Sequence, residues 1–494
     1  MPTHKRLGEF VVIGSGPSGW ASLEALVAQG ETPVLIDIHY TDDETSETSG
    51  GHLKSEVGFS QKIRFGKSYM YDYPSDYLDV GSLRKKVPLS GAFGGLSTVW
   101  GSNLQLCHDA CGRVRDPEQS DYVRAATEVL DRMFHCGESD DLDVVARWPV
   151  RFQDKTPQSM RMQNIQYTLK SLFQNENFVA GMARNATRGE RSGCIACGKC
   201  MTGCDSEAIF STEKRVRELI DSGKVHLVRG IVETIQRDDS YVIVNCSSVG
   251  KRENFTVAAH TVFLAAGAIA SAAILMRSRI VGQAATLQET QVSYLPILVP
   301  RMKSTEKSRY SLSQVFIESR RGISAQGSFH MSLYEPSDDW PDRLRAVRPF
   351  LGRLFARIVE RSVIVGICFL PSSESGKLEL HLGNDGVVSV FEKRLEHTLR
   401  TFKKRLRDLR RLLWKEGIIP LVEFAEFPNV GASFHVGALE SEGAPSINED
   451  GLTSFGDGLY VIDGAALRIV PTGPVTLSIM VNATMVVNRL LATR

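Results

Sequence analysis

Apolar positions follow two rhythms along this chain. Residues 9–40, EFVVIGSGPSGWASLEALVAQGETPVLIDIHY, begin with the run Val11, Val12 and Ile13, which predicts a buried strand. Glycines interrupt it. Leu23, Leu26 and Val27 then supply the buried face of a helix, and PVLID follows as a second strand ending in Asp37. The same logic returns over 212–290: a helix at STEKRVRELIDSG, strands at KVHLVRG and YVIVNCSS, and a buried strand that turns through Ala266 and Gly267 into a helix. From about 291 to 424 the rhythm becomes alternating, with strands predicted at SQVFIES, SFHMSLY, RSVIVGICFL and KLELHL. A long helix is predicted over 391–417. Leu395, Leu399, Phe402, Leu406, Leu409 and Leu413 form its apolar face, and the other face is basic. Solvated lysines and arginines are the commoner use of such a face. Over 425–494 the first rhythm resumes, with a short strand running into Asp463, Gly464 and Ala465, then a two-proline loop and a helix.

This pattern predicts an α/β protein with a Rossmann-like nucleotide-binding domain written in discontinuous segments. An α+β domain with an antiparallel sheet is inserted between them. The expected division is 1–150 for the first nucleotide-side segment, 151–211 for a connecting segment, and 212–290 for the second nucleotide-side segment. The inserted domain takes 291–424 and the C-terminal nucleotide-side segment 425–494. At 494 residues the chain exceeds what one ordinary core organises, so intimately packed domains are expected.

Composition narrows the class. Hydrophobic residues make up 42% and charged residues 23%, as in soluble globular proteins. A net charge of +1 gives no global field favouring nucleic acid. No apolar run approaches the ~18 residues of a membrane span, and the first apolar strand is too short for a secretory core. Of nine cysteines, four fall between 194 and 204, and the rest are scattered without a framework. That usage predicts a reducing, cytoplasmic compartment and a metal or redox site rather than secreted disulfides.

Two motifs carry candidate chemistry. Gly14, Gly16 and Gly19 stand as G-x-G-x-x-G between strand and helix, with Asp37 closing the next strand. Gly14 permits the tight turn, Gly16 admits a pyrophosphate to the backbone, and Gly19 lets the helix pack on the strand. The helix N-terminus then faces phosphates, and Asp37 can accept ribose hydroxyl protons. The bland alternative is a glycine turn needed only for packing. The second motif is CIACGKCMTGC, whose Cys194, Cys197, Cys200 and Cys204 carry the C-x2-C-x2-C-x3-C spacing of bacterial ferredoxins. Asp205 follows where ferredoxin runs usually place proline. The run suits an iron–sulfur cluster; zinc is the main rival, and a metal-free loop or labile disulfide the plainest reading.

Over most of its length the chain resembles the glucose–methanol–choline (GMC) family of flavoprotein oxidoreductases. The resemblance rests on GSGPSG with Asp37, GAFGGLSTVWGSN (91–103), VFLAAGAIASAAIL (262–275), and the C-terminal pair SFHVG and LYVIDGAALRIVPTGP. The look is nearest to bacterial sugar dehydrogenases and pyranose-oxidase-like members. It implies FAD held between the domains, with Gly14, Gly16, Gly19 and Asp37 on its ADP half. Gly94, Gly95, Ser97, Trp100 and Asn103 would line the flavin, Gly267 would belong to a second nucleotide-side turn, and Asp463 and Ala465 would face the ribityl and pyrimidine side. Where pyranose oxidases carry a flavin-linked histidine this chain has Val99, so the FAD is expected to be non-covalent.

The resemblance also implies oxidation of a CH–OH group on a sugar or polyol by hydride transfer to flavin. His435 matches the active-site histidine and is assigned as general base, with packing against the last strand as its bland alternative. His330 is a weaker candidate to face the substrate. The family's second histidine or asparagine is missing: Gly473 or Pro474 stands there, with Thr472 or Thr476 as candidate replacements. Some family members resemble this chain in a compact cysteine set that holds an iron–sulfur cluster, which would pass electrons to a protein or quinone acceptor. An oxygen-reducing oxidase and a flavin-binding protein without alcohol oxidation are the alternatives.

Overall fold

The computed structural model describes residues 5–41, 68–71, 73–74, 76–81, 83, 87, 89–111, 121–174, 176–201, 204–238, 240–250, 253–301, 310–320, 327–336, 362–427, 430–441 and 458–494. Three sheets organise them into a mixed α/β architecture.

The largest sheet has seven strands. Lys5–Ile13 lies at its centre, parallel to Val34–Asp37 on one side and to Asn254–Leu264 on the other. His226–Arg229 extends the parallel half beyond Val34–Asp37. The long strand Asn254–Leu264 has a further neighbour at each end. Its first half pairs antiparallel with Val242–Ser247, while Val262–Leu264 pair in parallel with Leu459–Val461. Ile231–Arg237 then completes the antiparallel edge.

Side chains of the central strands alternate between two cores. Phe10 and Val12 face a cluster with Trp20, Leu23 and Leu26 of the helix Pro17–Ala28, and with Leu477, Met480 and Val481 of the helix Thr476–Ala492. Val11, Ile13, Val34 and Ile36 face the opposite way, onto Ile274 and Leu275 of the helix Ala268–Arg277. Strands buried on both faces read as unbroken apolar runs, which is why these were legible.

The second sheet is antiparallel and six-stranded, in the order Ile419–Pro420, Val292–Leu298, Val363–Phe369, His330–Tyr334, Val315–Ser319, Phe178–Met182. Helices Met160–Leu172 and Thr398–Leu413 share a core with it through Ile165, Leu169, Phe402, Leu406 and Leu409. Its register sets Glu318 opposite His330, and His330 opposite Phe369. The third sheet runs Val436–Ser441, Ala284–Glu289, Lys377–Leu382, Val388–Lys393, Leu78–Asp79.

The helix expected over 391–417 is shorter. Residues 391–393 end the strand Val388–Lys393, and helix begins at Thr398. Val388 and Val390 are buried by pairing with Lys377–Leu382, and that alternation overrides the helical period. Phe391 and Leu399 are exposed, so the apolar stripe narrows to Phe402, Leu406, Leu409 and Leu413. On the polar face, Arg410 pairs with Glu423 at 2.8 Å and Arg405 with Glu374. The strand Ile231–Arg237 and the helices Asp121–Arg132 and Met160–Leu172 carried no expectation from sequence.

Candidate active site

The glycine turn after Ile13 is tight for identifiable reasons. Gly14 has φ +98°, and a Cβ there would lie 2.5 Å from the Ala265 carbonyl oxygen. A Cβ on Gly19 would lie 1.9 Å from the Gly14 carbonyl oxygen, so the helix can approach the strand only without it. Gly16 differs: a Cβ there would meet nothing within 4 Å. It faces a cavity, at the N-cap of Pro17–Ala28. Open space against a helix N-terminus is a cradle for phosphate. Asp37 lines the same cavity. Its carboxylate accepts the N–H of Ser15 at 2.8 Å and of His39 at 2.7 Å, and burial raises its pKa to about 6.

The segment 91–103 folds over this turn. Gly94, at φ +87°, donates its N–H to Ser15 Oγ at 2.8 Å, and Gly95 lies close enough that its Cβ would be 3.3 Å from the Gly16 Cα. Ser97 and Thr212 share a 2.8 Å hydroxyl contact, and Thr212 donates to the carbonyls of Ser15 or Gly94. Ser15 and Thr212 were not picked out from sequence; they fasten the turn, the loop and a helix start into one unit. Val99 closes the short 3-10 turn Gly95–Thr98.

A third piece comes from the C-terminal segment. Asp463 accepts the N–H of Gly267 at 2.8 Å, the hydroxyl of Ser271 at 2.5 Å and the N–H of Ala465 at 2.9 Å. Burial raises its pKa to about 6. Gly267, at φ +91°, also has open space where a Cβ would stand.

Of the residues expected to hold cofactor, Gly14, Gly16, Asp37, Gly95, Gly267 and Asp463 line this one cavity. Gly19, Gly94, Ser97 and Ala465 are packed behind its wall. Trp100 points its indole N–H to the Phe210 carbonyl at 2.8 Å. Asn103 turns towards the antiparallel sheet: its amide donates to Tyr334 Oη at 2.9 Å and Ser332 Oγ at 3.3 Å, and its oxygen accepts from Ser313 at 2.5 Å. Phosphate space at Gly16, a buried acid at Asp37 and a second open glycine at Gly267 fit the FAD that the resemblance implies.

Ser433, Phe434, Val436, Val475 and Thr476 close another side of the cavity, and His435 lies in sequence between two of these lining residues. The loop carrying His435 is held by Glu289, a buried carboxyl that accepts N–H groups from Gly431 at 2.9 Å and Ser433 at 3.0 Å. Burial pushes that carboxyl to about 7. His435 Nδ1 is buried without a partner among the described residues. Desolvation, and secondarily the nearby His330, lower the His435 pKa to about 4, so the imidazole is neutral at neutral pH. Phe369 stacks edge-on between the two histidines, 5.1 Å from each ring.

His330 is fully buried. Its Nδ1 lies 3.4 Å from Glu318 and 3.2 Å from the Gln105 amide, and its Nε2 is 2.9 Å from Ser332 Oγ.

The cysteine run behaves differently from its expectation. Cys197 is exposed, and Cys204 Sγ accepts the Ala208 N–H at 3.1 Å. Burial raises the thiol pKa values of Cys194 and Cys200, with a lesser raising contribution from the other cysteines of the run. Yet among the described residues no three His, Cys, Asp or Glu side chains are gathered to hold a metal ion. The iron–sulfur cluster expected on Cys194, Cys197, Cys200 and Cys204 is therefore unsupported. No step is derived through it. Among the described residues no helix is long and apolar enough to cross a membrane.

The GMC oxidoreductase family profile matches residues 126–292. No curated protein matches the chain. Solved structures similar in fold include two oxidases. Pyridoxine 4-oxidase from Mesorbium loti has a TM-score of 0.60 and 11% identity, covering 98% of this chain and 99% of that one. A mutant of the Aspergillus oryzae RIB40 formate oxidase, made to study FAD modification, has a TM-score of 0.61 and 11% identity, covering 100% and 99%.

Proposed function

We propose, for a chain that belongs to the GMC oxidoreductase family and is an FAD-dependent oxidoreductase, that it oxidises the CH–OH group of a small alcohol, sugar or polyol. The observation that carries this reading is His435: an imidazole kept neutral by desolvation, its Nδ1 unpartnered among the described residues, on the segment whose Phe434 and Val436 line the nucleotide-side cavity.

In this reading Gly14, Gly16, Gly19 and Asp37 hold the ADP half of FAD. Gly94, Gly95, Ser97, Trp100 and Asn103 shape the flavin side, and Gly267, Asp463 and Ala465 the ribityl and pyrimidine side. Bound FAD supplies the hydride acceptor. His435 takes the hydroxyl proton as the C–H hydride departs, so the alcohol leaves as a carbonyl compound and the two electrons remain with the cofactor. The segments 1–150, 212–290 and 425–494 would then form the FAD-binding domain, and 291–424 the substrate domain, with 151–211 connecting them. With Val99 at the position of the pyranose-oxidase linkage, the FAD is dissociable. All nine cysteines are unpaired, which suits a reducing compartment such as the cytoplasm.

A second reading concerns the electron acceptor. Both similar structures are named as oxidases. Oxygen is then the acceptor to test.

The test is anaerobic mixing of the FAD-loaded protein with a panel of primary alcohols, sugars and polyols, followed by admission of oxygen. Bleaching of the flavin absorbance by a panel member supports the reading, and peroxide on reoxidation supports the oxidase form. A flavin that no alcohol bleaches would leave a binding protein without alcohol oxidation.

A further inference from the structure

An alcohol losing its hydroxyl proton to one group is oriented best when a second group also holds its oxygen end. The C-terminal loop offers no such side chain at Gly473. Thr472, beside it, already shares a 2.6 Å contact with Ser328 Oγ. The space at Gly473 is filled from elsewhere. A Cβ on Gly473 would fall 1.8 Å from Gln105 Oε1, and the backbone there has φ +151°.

Gln105 is held in a defined orientation. Its Nε2 donates to Glu318 Oε1 at 2.8 Å and lies 3.2 Å from His330 Nδ1. A carboxylate accepts and never donates, so the amide nitrogen must face Glu318 and the carbonyl oxygen must face Gly473. That oxygen is buried without a partner among the described residues. A buried acceptor left unpaired costs about 1–3 kcal/mol, which argues for an occupant that donates to it.

The surroundings connect it to His435. Thr290 donates its N–H to the His435 carbonyl at 2.9 Å and its hydroxyl to the Pro471 carbonyl at 3.0 Å, so one residue fastens both loops. The cavity wall is built from the sequence neighbours of both positions, Phe434 and Val436 on one side and Val475 on the other.

We propose that Gln105 is the second substrate-contacting group, accepting a hydrogen bond from the alcohol through Oε1, with Glu318 and His330 as positioning residues that fix its amide. The proposal rests on the alcohol-oxidation reading. It assigns the role left vacant at Gly473 to a side chain some 370 residues earlier, beside Asn103.

The test compares wild type with Gln105→Met, Gln105→Ala and Gln105→Ala/Gly473→Asn, all FAD-loaded. Two readouts are used: anaerobic flavin reduction by the alcohol panel, and perturbation of the flavin spectrum by tert-butanol, which has a hydroxyl but no hydrogen to give as hydride. In Gln105→Met, FAD content should be retained, flavin reduction should slow by at least tenfold, and tert-butanol should bind at least tenfold more weakly. Moving the amide to position 473 should recover part of the reduction rate relative to Gln105→Ala alone. Wild-type rate and probe affinity in Gln105→Met overturn the assignment, as does the absence of a saturable tert-butanol response in wild type. An unbleached wild type that still binds tert-butanol through Gln105 would instead defeat the alcohol-oxidation reading and leave the contact standing.

Discussion

Asp463 accepts hydrogen bonds from both Gly267 N–H and the Ser271 hydroxyl, joining two segments nearly two hundred residues apart. With the Ala465 N–H, three donors converge on one buried carboxyl. Asp463→Ala should strand all three, at ~1–3 kcal/mol for each of the two buried donors, Ser271 and Ala465. The expected outcome is a markedly lower melting temperature and loss of FAD on gel filtration. A variant that keeps wild-type FAD content would show that this junction does not shape the cavity.

Gly16 and Gly19 should separate folding from binding. Gly19→Ala places a Cβ against the Gly14 carbonyl, so it should destabilise the protein with or without cofactor. Gly16→Ala adds a Cβ that meets no protein atom within 4 Å. It should leave the circular dichroism and melting of the apoprotein near wild type while lowering FAD affinity by at least tenfold. Equal FAD affinity would mean that the cofactor does not approach this turn.

The His435 imidazole is held down to about 4 from its ordinary 6.5, because burial disfavours its charged form. The native state therefore resists protonation, and stability falls as pH drops from 6.5 towards 4. Flavin reduction should likewise be flat from neutrality down to about pH 5 and lose rate as pH passes through about 4. His435→Ala should slow reduction by about 10²-fold or more with FAD retained. An acid limb near 6.5 in the wild type would place a different group in charge of the proton.

The cysteine run predicts a thiol count. Cys107, Cys111, Cys136, Cys246 and Cys368 are buried, while Cys197 is exposed and Cys194, Cys200 and Cys204 are half-buried. Native titration with a thiol reagent should reach no more than those four, with Cys197 reacting first, and nine in denaturant. Chelator treatment should leave melting and flavin spectrum unchanged. Protected native thiols accompanied by stoichiometric iron or zinc would establish a bound metal.

Sequence was informative where burial is simple. Val11 to Ile13, Val262 to Leu264 and the helix face of Leu23 and Leu26 are apolar because both sides of the central sheet are covered, so pattern and structure coincide. It was uninformative where contacts are distant. Glu318 and His330 meet through strand register, and Gln105 reaches them from another segment; no local spacing marks any of these three. At 391–393 the structure departs from the expected helix: Phe391 continues the helical rhythm, but its backbone pairs with Glu379. Ser271 had a local signal, four residues after Gly267 on the same helix face, which an acid at the next strand end could have completed.

The order in which the chain is made bears on how the central sheet can close. Leu459–Val461 must pair with Val262–Leu264, and Thr476–Ala492 must cover Pro17–Ala28, before the first-made strands are fully enclosed. Arg494 even reaches back to Glu9, at 2.7 Å. During synthesis the early strands therefore spend most of elongation with an apolar flank uncovered, a state exposed to aggregation until these late segments arrive.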